Sequence, residues 1–436
     1  MTIRLKYLQS PLIVLALALP ATSFATNGYF SHGTSIAEKG LAGAGNAYSQ
    51  DAMSASNNPA GMVLQGNRLD VGLALFAPMR SYTVTGTPNP PPAFSLQPGT
   101  FESENELFII PQYGQNWMLN EESSIGVSVY GNGGMNTEYP GAGPGTGPYY
   151  AGTAGVDLSQ LFIATTYSRK FSDSASWGIS GIIAYQRFEA TGVGSFAGFS
   201  QDPSKLSNNS TDSSTGFGVR LGIQAEVTSS ITLGFAYQPK IDMGEFDDYA
   251  GLFAEKGDFD IPSNYTLGLA WHINNKSVFL VDVQQINYSD VAAVSNPIAS
   301  LTDGSCIPAP PTGPGAGAGC LGSSSGAGFG WEDMTVVKLG YQWQSSDAWT
   351  WRVGYSRTDQ PIPDSEMLFN ILAPGVVEEH ITFGFTRALS NNSDLNFAFM
   401  LAPNVSVSGP NTFDPSQTIE IEMDQYELAA SYSKRF

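Results

Sequence analysis

The 436-residue sequence is short of charge, of basic residues, of cysteine and of long apolar runs. Charged residues make up 13% of it, about half the share in an ordinary soluble protein. Only 19 Lys and Arg stand against 39 Asp and Glu, a formal net charge of −20. Such a chain repels phosphates, which excludes a nucleic-acid partner. Beyond the N-terminus no run approaches the roughly 18 apolar residues of a membrane helix, and mean hydropathy is −0.09, so a bundle of membrane helices is excluded as well. With 3 His and 2 Cys, no metal site is expected, and no cofactor. What is abundant is glycine (48) and aromatic side chains (25 Phe, 19 Tyr, 7 Trp). A disordered acidic chain would lack those aromatics. The balance suits β-structure, as one large barrel or two to three ordinary domains.

The N-terminus reads as an export signal. Arg4 and Lys6 precede a short apolar core at 12–19, and Ser23-Phe24-Ala25 fits a small-x-small cleavage site. Residues 1–25 are therefore expected to be removed, leaving Thr26 first and, without those two bases, a charge of −22. Export agrees with the cysteines. Cys306 and Cys320 share one Gly/Pro-rich segment, 303–328, and an oxidising compartment lets them close a loop disulfide.

Several segments alternate strictly. In 263–274, Tyr265, Leu267, Leu269, Trp271 and Ile273 share one face, and Asn264, Thr266, Gly268, Ala270 and His272 the other. Segments 349–356 and 380–386 repeat the pattern. One face is bulky and apolar, the other small or polar with a few charges. A soluble sandwich would carry Lys and Glu opposite its bulky face; a lipid-facing exterior around a partly polar lumen requires the pattern seen here. About 14 such strands are expected, at 68–84, 106–119, 123–132, 159–171, 176–189, 216–228, 230–240, 263–274, 276–289, 332–344, 348–358, 379–389, 394–402 and 426–436. The phases of 106–119 and 276–289 are ambiguous. Short connections alternate without a break with long Gly/Pro/Asp-rich ones, among them 85–105, 133–158, 190–215, 241–262, 290–331, 359–378 and 403–425, which is the rhythm of periplasmic turns and outer loops. The final strand, Tyr426-x-Leu428-x-Ala430-x-Tyr432-x-Lys434-x-Phe436, ends on an aromatic, the kind of end that barrel assembly machinery reads. The fold class is thus all-β, a transmembrane antiparallel β-barrel at 67–436 in a bacterial outer membrane. Residues 26–66 lack alternation, are rich in small side chains, carry a short helical stretch near 35–42 and a turn at Asn58-Pro59-Ala60, and are expected to fill the lumen as a plug.

The segment 40–62, with Gly45-Asn46-Ala47-Tyr48-Ser49-x-Asp51-Ala52-x-Ser54 and then Asn58-Pro59-Ala60-Gly61-Met62, resembles the plug of the FadL/TodX family of outer-membrane transporters for long-chain fatty acids and aromatic hydrocarbons. Tyr130-Gly131-Asn132-Gly133-Gly134, then Thr137-Glu138-Tyr139-Pro140, and Arg352-x-Gly354-Tyr355 leading to Pro361-Ile362-Pro363 match as well. The resemblance covers the whole mature chain. It implies a 14-stranded barrel with an N-terminal plug, ligand capture among outer loops, a lumen site near the plug, and sideways exit at a kinked third strand. The Cys306–Cys320 loop has no place in the family pattern.

The residues themselves offer matching parts. Phe196 and Phe199 in one long connection, and Tyr249, Leu252 and Phe253 in another, are apolar handholds for capture, unless they only pack the loops together. Gly131, Gly133 and Gly134 weaken strand pairing and permit a bulge that opens the wall, unless they simply begin a loop. Asn58 and Pro59 fix a plug turn, which could shift on ligand binding. Arg220 and Arg352 fall on the inward phase and could hold a carboxylate, unless they pair with luminal acids such as Glu226. Catalysis finds little support. His272 and His380 point inward, but neither has a recognisable nucleophile context, and no enzyme is expected. The expected function is therefore an outer-membrane channel for hydrophobic compounds, foremost long-chain fatty acids, acting as a monomer. The alternatives are an aromatic-hydrocarbon channel, a general porin or adhesin barrel, or, last, a lipid enzyme. The acidic excess concentrates in 85–106, 241–262, 359–379 and 402–425, which hold 19 acids and one base; on the outer face they could share divalent cations with lipopolysaccharide.

Overall fold

The computed structural model describes residues 26–309, 313–389 and 392–436; the expected signal peptide at 1–25 lies outside the described residues. Fourteen strands form one closed sheet. They are β1 Arg68–Gly86, β2 Phe108–Asn120, β3 Ser123–Tyr139, β4 Ala154–Ser172 and β5 Ala175–Thr191, then β6 Asp212–Thr228, β7 Ile231–Gln238, β8 Asn264–Asn274, β9 Ser277–Ile286 and β10 Met334–Ser346, and finally β11 Trp349–Arg357, β12 Glu379–Ala388, β13 Ser393–Asn411 and β14 Asp414–Arg435. Neighbours in sequence pair antiparallel, and β14 closes on β1, from Arg435 opposite Arg68 to Gln417 opposite Gly86. Closure satisfies the backbone groups that lipid cannot.

The outer surface between the two rims is apolar. Leu73, Leu75, Ile183, Phe217, Leu267 and Phe383 all stand exposed. Each would cost roughly 1.5–3 kcal/mol to leave in water, and a bilayer removes that cost. Toward the short turns, Trp349 and Trp351 stack at 5.4 Å with the Arg387 guanidinium 4.8 Å over Trp349, an arrangement suited to a headgroup layer. Tyr237, Tyr265 and Tyr426 stand exposed nearer the other rim.

Two expectations need correction. The segment 403–425 is not a loop: β13 and β14 run on past the apolar band and meet at a two-residue turn, 412–413. Here the faces exchange character. Ile419, Ile421 and Met423 point inward and are buried, while Glu420, Glu422 and Asp424 point outward. Above the lipid the strands follow the rule of a soluble sheet, so a search for bulky residues on the outside passes over them. Likewise β3 does not end at 132 but continues to Tyr139. The two ambiguous strands have a related explanation. In β9 the inward Val278 and Leu280 pack on Leu41, Ala44 and Ala47 of the N-terminal segment. In β2 the inward Phe108 and Ile110 belong to the main apolar core. At these positions the inward side chains are as apolar as the outward ones, which blurs the phase.

Residues 26–66 fold inside the barrel. Ser35 caps a single helical turn, Ile36–Lys39, its Oγ accepting from Ala37 N at 3.2 Å. Asn58 caps a 3-10 turn, Pro59–Leu64, with Pro59 in the first position, where its missing N–H costs nothing. Glycines on the inward faces of the strands admit this segment. A Cβ on Gly222 would lie 2.0 Å from Asn58 Oδ1, and one on Gly354 would lie 2.2 Å from Leu41 C.

Candidate ligand route and wall window

The N-terminal segment is fastened by polar groups on the wall. Asp282 on β9 accepts from Gly45 N at 2.8 Å and Asn46 N at 2.9 Å. Asp70 on β1 accepts from Ala52 N at 2.9 Å. Lys39 pairs with Glu427 at 2.7 Å, both buried. Of the turn residues, Asn58 donates to Asn46 O at 2.8 Å and Ile223 O at 3.0 Å, and its Oδ1 accepts from Ala60 N at 3.0 Å. Ala60 O in turn accepts from Ser168 on β4 at 2.9 Å and Ser176 on β5 at 2.8 Å. Asn58, Pro59 and Ala60 thus tie the segment to three neighbouring strands.

The two arginines expected to hold a carboxylate are inward and buried, and neither forms an ion pair among the described residues. Arg352 donates to Gln50 of the N-terminal segment at 2.9 Å, to Gln342 at 2.7 Å and to Thr386 at 2.7 Å. It lines a polar cavity of about 250 Å³ near the short turns, with Arg68, Asp394 and Arg435. Arg220 donates to Gln238 at 2.7 Å, not to Glu226, beside a polar cavity of about 50 Å³. Neither setting suits an apolar tail. His380 is also inward and fully buried, with Ser356 Oγ 3.0 Å from its Nδ1 and His32 stacked at 5.3 Å. Its Nε2 has no partner among the described residues, so no acid among them orients the ring, and the ring is buried. His272 faces Tyr48 at 5.7 Å.

The outer half differs. Phe196, Leu252 and Phe253, from two connections, meet around a cavity of about 40 Å³ that is completed by Phe188, Leu321, Phe329 and other apolar side chains, with no polar residue in the lining. Phe253 lies 4.6 Å from Phe188. Tyr249 packs against Phe188 at 4.9 Å. Phe199 is not in the lining; its ring packs on Phe413 at 5.3 Å. The Cys306–Cys320 disulfide is formed, and the residue after it, Leu321, reaches this cavity.

The third strand is irregular at its glycines. Pairing with β4 shifts register between Gly131 and Gly133. Pairing with β2 stops at Tyr113 opposite Val129, and beyond it the ladder is missing. Pro111 cannot donate there in any case. On the other side of β2, pairing with β1 stops at Phe76 opposite Phe108, and β1 next pairs with a short strand, Gly99–Glu102. The result is a gap in the ladder between β2 and β3, a candidate window in the wall, bridged above by Glu104 N to Glu138 O at 2.8 Å. Its inner side is covered by the N-terminal segment: Phe30 pairs with Gly133, and Gly134 N donates to Tyr29 O at 3.0 Å. A Cβ on Gly133 would lie 2.2 Å from Tyr29 O, so glycine is needed for this approach.

Behind the window lies a cavity of about 30 Å³ lined by Phe76, Pro78, Arg80, Met135, Trp331 and Met423, among others. Segments 329–331 and 372–375 separate it from the loop cavity, contributing Phe329 and Leu372 to one and Trp331 and 373–375 to the other. Arg80, Tyr29 and Trp331 were not anticipated. A lone Arg on the otherwise apolar inward phase Phe76, Pro78, Arg80, Tyr82, Val84 was the available signal.

Residues 17–436 match the model of the outer membrane protein transport protein family (OMPP1/FadL/TodX). The chain belongs to that family. As a FadL/TodX-family member it is an outer-membrane transport channel and not an enzyme. No curated protein matches it by sequence. Among solved structures it is similar to the Pseudomonas putida toluene transporter TodX, at 18% identity over 93% of this chain and 99% of that one, with a TM-score of 0.67. A Pseudomonas aeruginosa FadL homologue is 15% identical over 94% and 100%, with a TM-score of 0.66. The Ralstonia pickettii toluene transporter TbuX is 16% identical over 93% and 99%, at 0.60. These likenesses show that the family's barrel is shared.

Proposed function

We propose that this channel takes up long-chain fatty acids. Ligand is captured in the loop cavity at Phe196, Leu252 and Phe253, with Phe199 supporting the loop from behind. It passes the 329–331 and 372–375 segments and leaves through the window at Gly131, Gly133 and Gly134 into the membrane. Residues 26–66 act as the plug that denies it a straight path, with Asn58, Pro59 and Ala60 holding the plug to the wall. The observation that carries this reading is a wholly apolar cavity set above a plugged polar lumen and near a stretch of wall without a ladder. Each methylene that stays out of water keeps roughly 0.8 kcal/mol, so a hydrophobic ligand follows the apolar side and avoids the ionic one. Arg220 and Arg352 brace the interior in this reading rather than hold the ligand. A general porin would need an open lumen, which the plug occupies.

A second reading has its own support. The loop cavity is small and ringed by Phe side chains, which suits a compact aromatic hydrocarbon, and TodX and TbuX are described as toluene transporters. Uptake of labelled oleate and labelled toluene, in cells with and without the protein, separates the two. Protein-dependent oleate uptake supports the first reading; dependence of toluene alone replaces it with the second; dependence of neither overturns both. The remaining parts of the proposal are a monomeric barrel, cleavage after Ala25, recognition of the Phe436 end by assembly machinery, and contact of the acidic outer rim with lipopolysaccharide.

A further inference from the structure

The window cavity contains one charged side chain. Arg80 points inward from β1 and is 5% exposed. Its Nη1 donates to Asn136 O on β3, and its guanidinium lies 5.8 Å over the Phe108 ring at the start of β2. It therefore spans the two edges of the window. Its Nε and Nη2 have no partner among the described residues. A buried guanidinium with unused N–H groups is expensive, since those donors have given up water and gained nothing. Arg68 shows what this edge is built for: its Nε and Nη2 hold the two oxygens of Asp70 at 2.8 and 2.9 Å. Arg80 presents the same edge with no acid on it, in an apolar surround made by Phe76, Met135, Trp331 and Met423. The cavity, about 30 Å³, has room for about two water-sized atoms, the number of oxygens that a carboxylate brings.

We propose that Arg80 is a headgroup site at the wall window, binding the carboxylate of a monocarboxylic amphiphile through Nε and Nη2 while its hydrocarbon tail leads out through the window toward the lipid. This rests on the reading that ligand passes the window, and it makes the window selective. A fatty acid gains a two-pronged, charge-assisted contact there; a neutral hydrocarbon meets a charge that it cannot use.

The test uses the purified full chain in detergent and two probes of equal length, oleate and oleyl alcohol, measured by titration calorimetry. Arg80→Gln should weaken oleate binding by about 10- to 100-fold, the worth of hydrogen bonds to a charged group, and leave oleyl alcohol little changed. Arg80→Lys, which keeps the charge and loses the fork, should fall between. Heat-modifiable migration on gels checks that each variant is folded. If Arg80→Gln does not fold, Arg80→Lys decides, a loss confined to oleate supporting the site and no loss overturning it. Equal weakening of both probes would mean that Arg80 only braces Asn136, and no change in either would also overturn the site; both leave fatty-acid uptake standing. Failure of the unaltered protein to bind oleate would overturn the site and the fatty-acid reading together.

Discussion

The two halves of the barrel interior are built from opposite materials. Toward the short turns the lumen is filled by backbone and charge: glycines on the wall, a plug pressed against them, and buried pairs such as Lys39 with Glu427. Toward the outer rim it is filled by aromatic rings, Phe188 from β5 and Phe196, Phe253 and Phe329 from the connections, around one apolar cavity. The difference teaches where a hydrophobic ligand can go. Moving down, it must enter a region filled by the N-terminal segment, whose largest space is a polar cavity lined by Arg68, Arg352, Asp394 and Arg435. Moving sideways, it meets the one part of the wall where the ladder between β2 and β3 is missing. Single substitutions can erase this contrast.

The largest effect should come from loosening the plug. Leucine at Gly222 would drive its Cβ into Asn58 Oδ1 and Pro59 Cδ, 2.0 and 2.8 Å away, and the turn has no room to retreat between β5 and β6. Gly222→Leu should convert a chain that passes little ion current in planar bilayers into one with large steady conductance. A folded variant that stays closed would mean that the turn does not seal the lumen. Next is the charge that fastens the plug. Asp282→Ala leaves Gly45 N and Asn46 N without an acceptor and should cost about 2–4 kcal/mol, measured by urea unfolding. A loss below about 0.5 kcal/mol, the range of an ordinary surface change, would show that the lower half does not depend on these bonds.

In the outer half the useful variant fills space rather than removes it. Leu252 is half-buried and lines the loop cavity. Leu252→Trp puts an indole into about 40 Å³ and should lower uptake of whichever probe the channel carries by several-fold, with unfolding unchanged. Normal uptake would place the route elsewhere and leave the cavity as packing alone.

How much of this could be read from the residues follows the same division. Within the lipid, bulky and small side chains must alternate, so strands such as 263–274 showed both their existence and their phase. Above the lipid the constraint reverses, and Glu420, Glu422 and Asp424 looked like a loop although they lie on a strand. Of the site, the Asn58-Pro59-Ala60 turn was legible because its chemistry is local: a cap, a fixed φ and a side-chain bond. The bulge at Gly131 and Gly133 was legible for the same reason. Phe196 could be named but not distinguished from Phe199, because which ring meets Leu252 is decided by contacts far apart in sequence. Arg80 was missed since nothing local says that its neighbours are Asn136 and Phe108 rather than an acid.

The smallest effect should come from the disulfide, and the reason is that its loop is held twice. Cross-linking Cys306 to Cys320 restricts the unfolded loop by up to about 3 kcal/mol in a chain-entropy account. The same loop also lies along 198–201 through backbone bonds. Leu321 N donates to Phe199 O at 2.9 Å, Gln201 N to Leu321 O at 3.0 Å, Gly315 N to Ser200 O at 2.7 Å and Ala309 N to Gly198 O at 3.0 Å. Those bonds keep Leu321 against the loop cavity when the sulfurs are free. Reduction, or Cys306→Ser with Cys320→Ser, should therefore raise hydrogen exchange within 303–328, lower uptake at most slightly, and leave the unfolding midpoint of the barrel where it was. A large drop in that midpoint would join the two halves again, because it would mean that the outer cap supports the wall rather than resting on it.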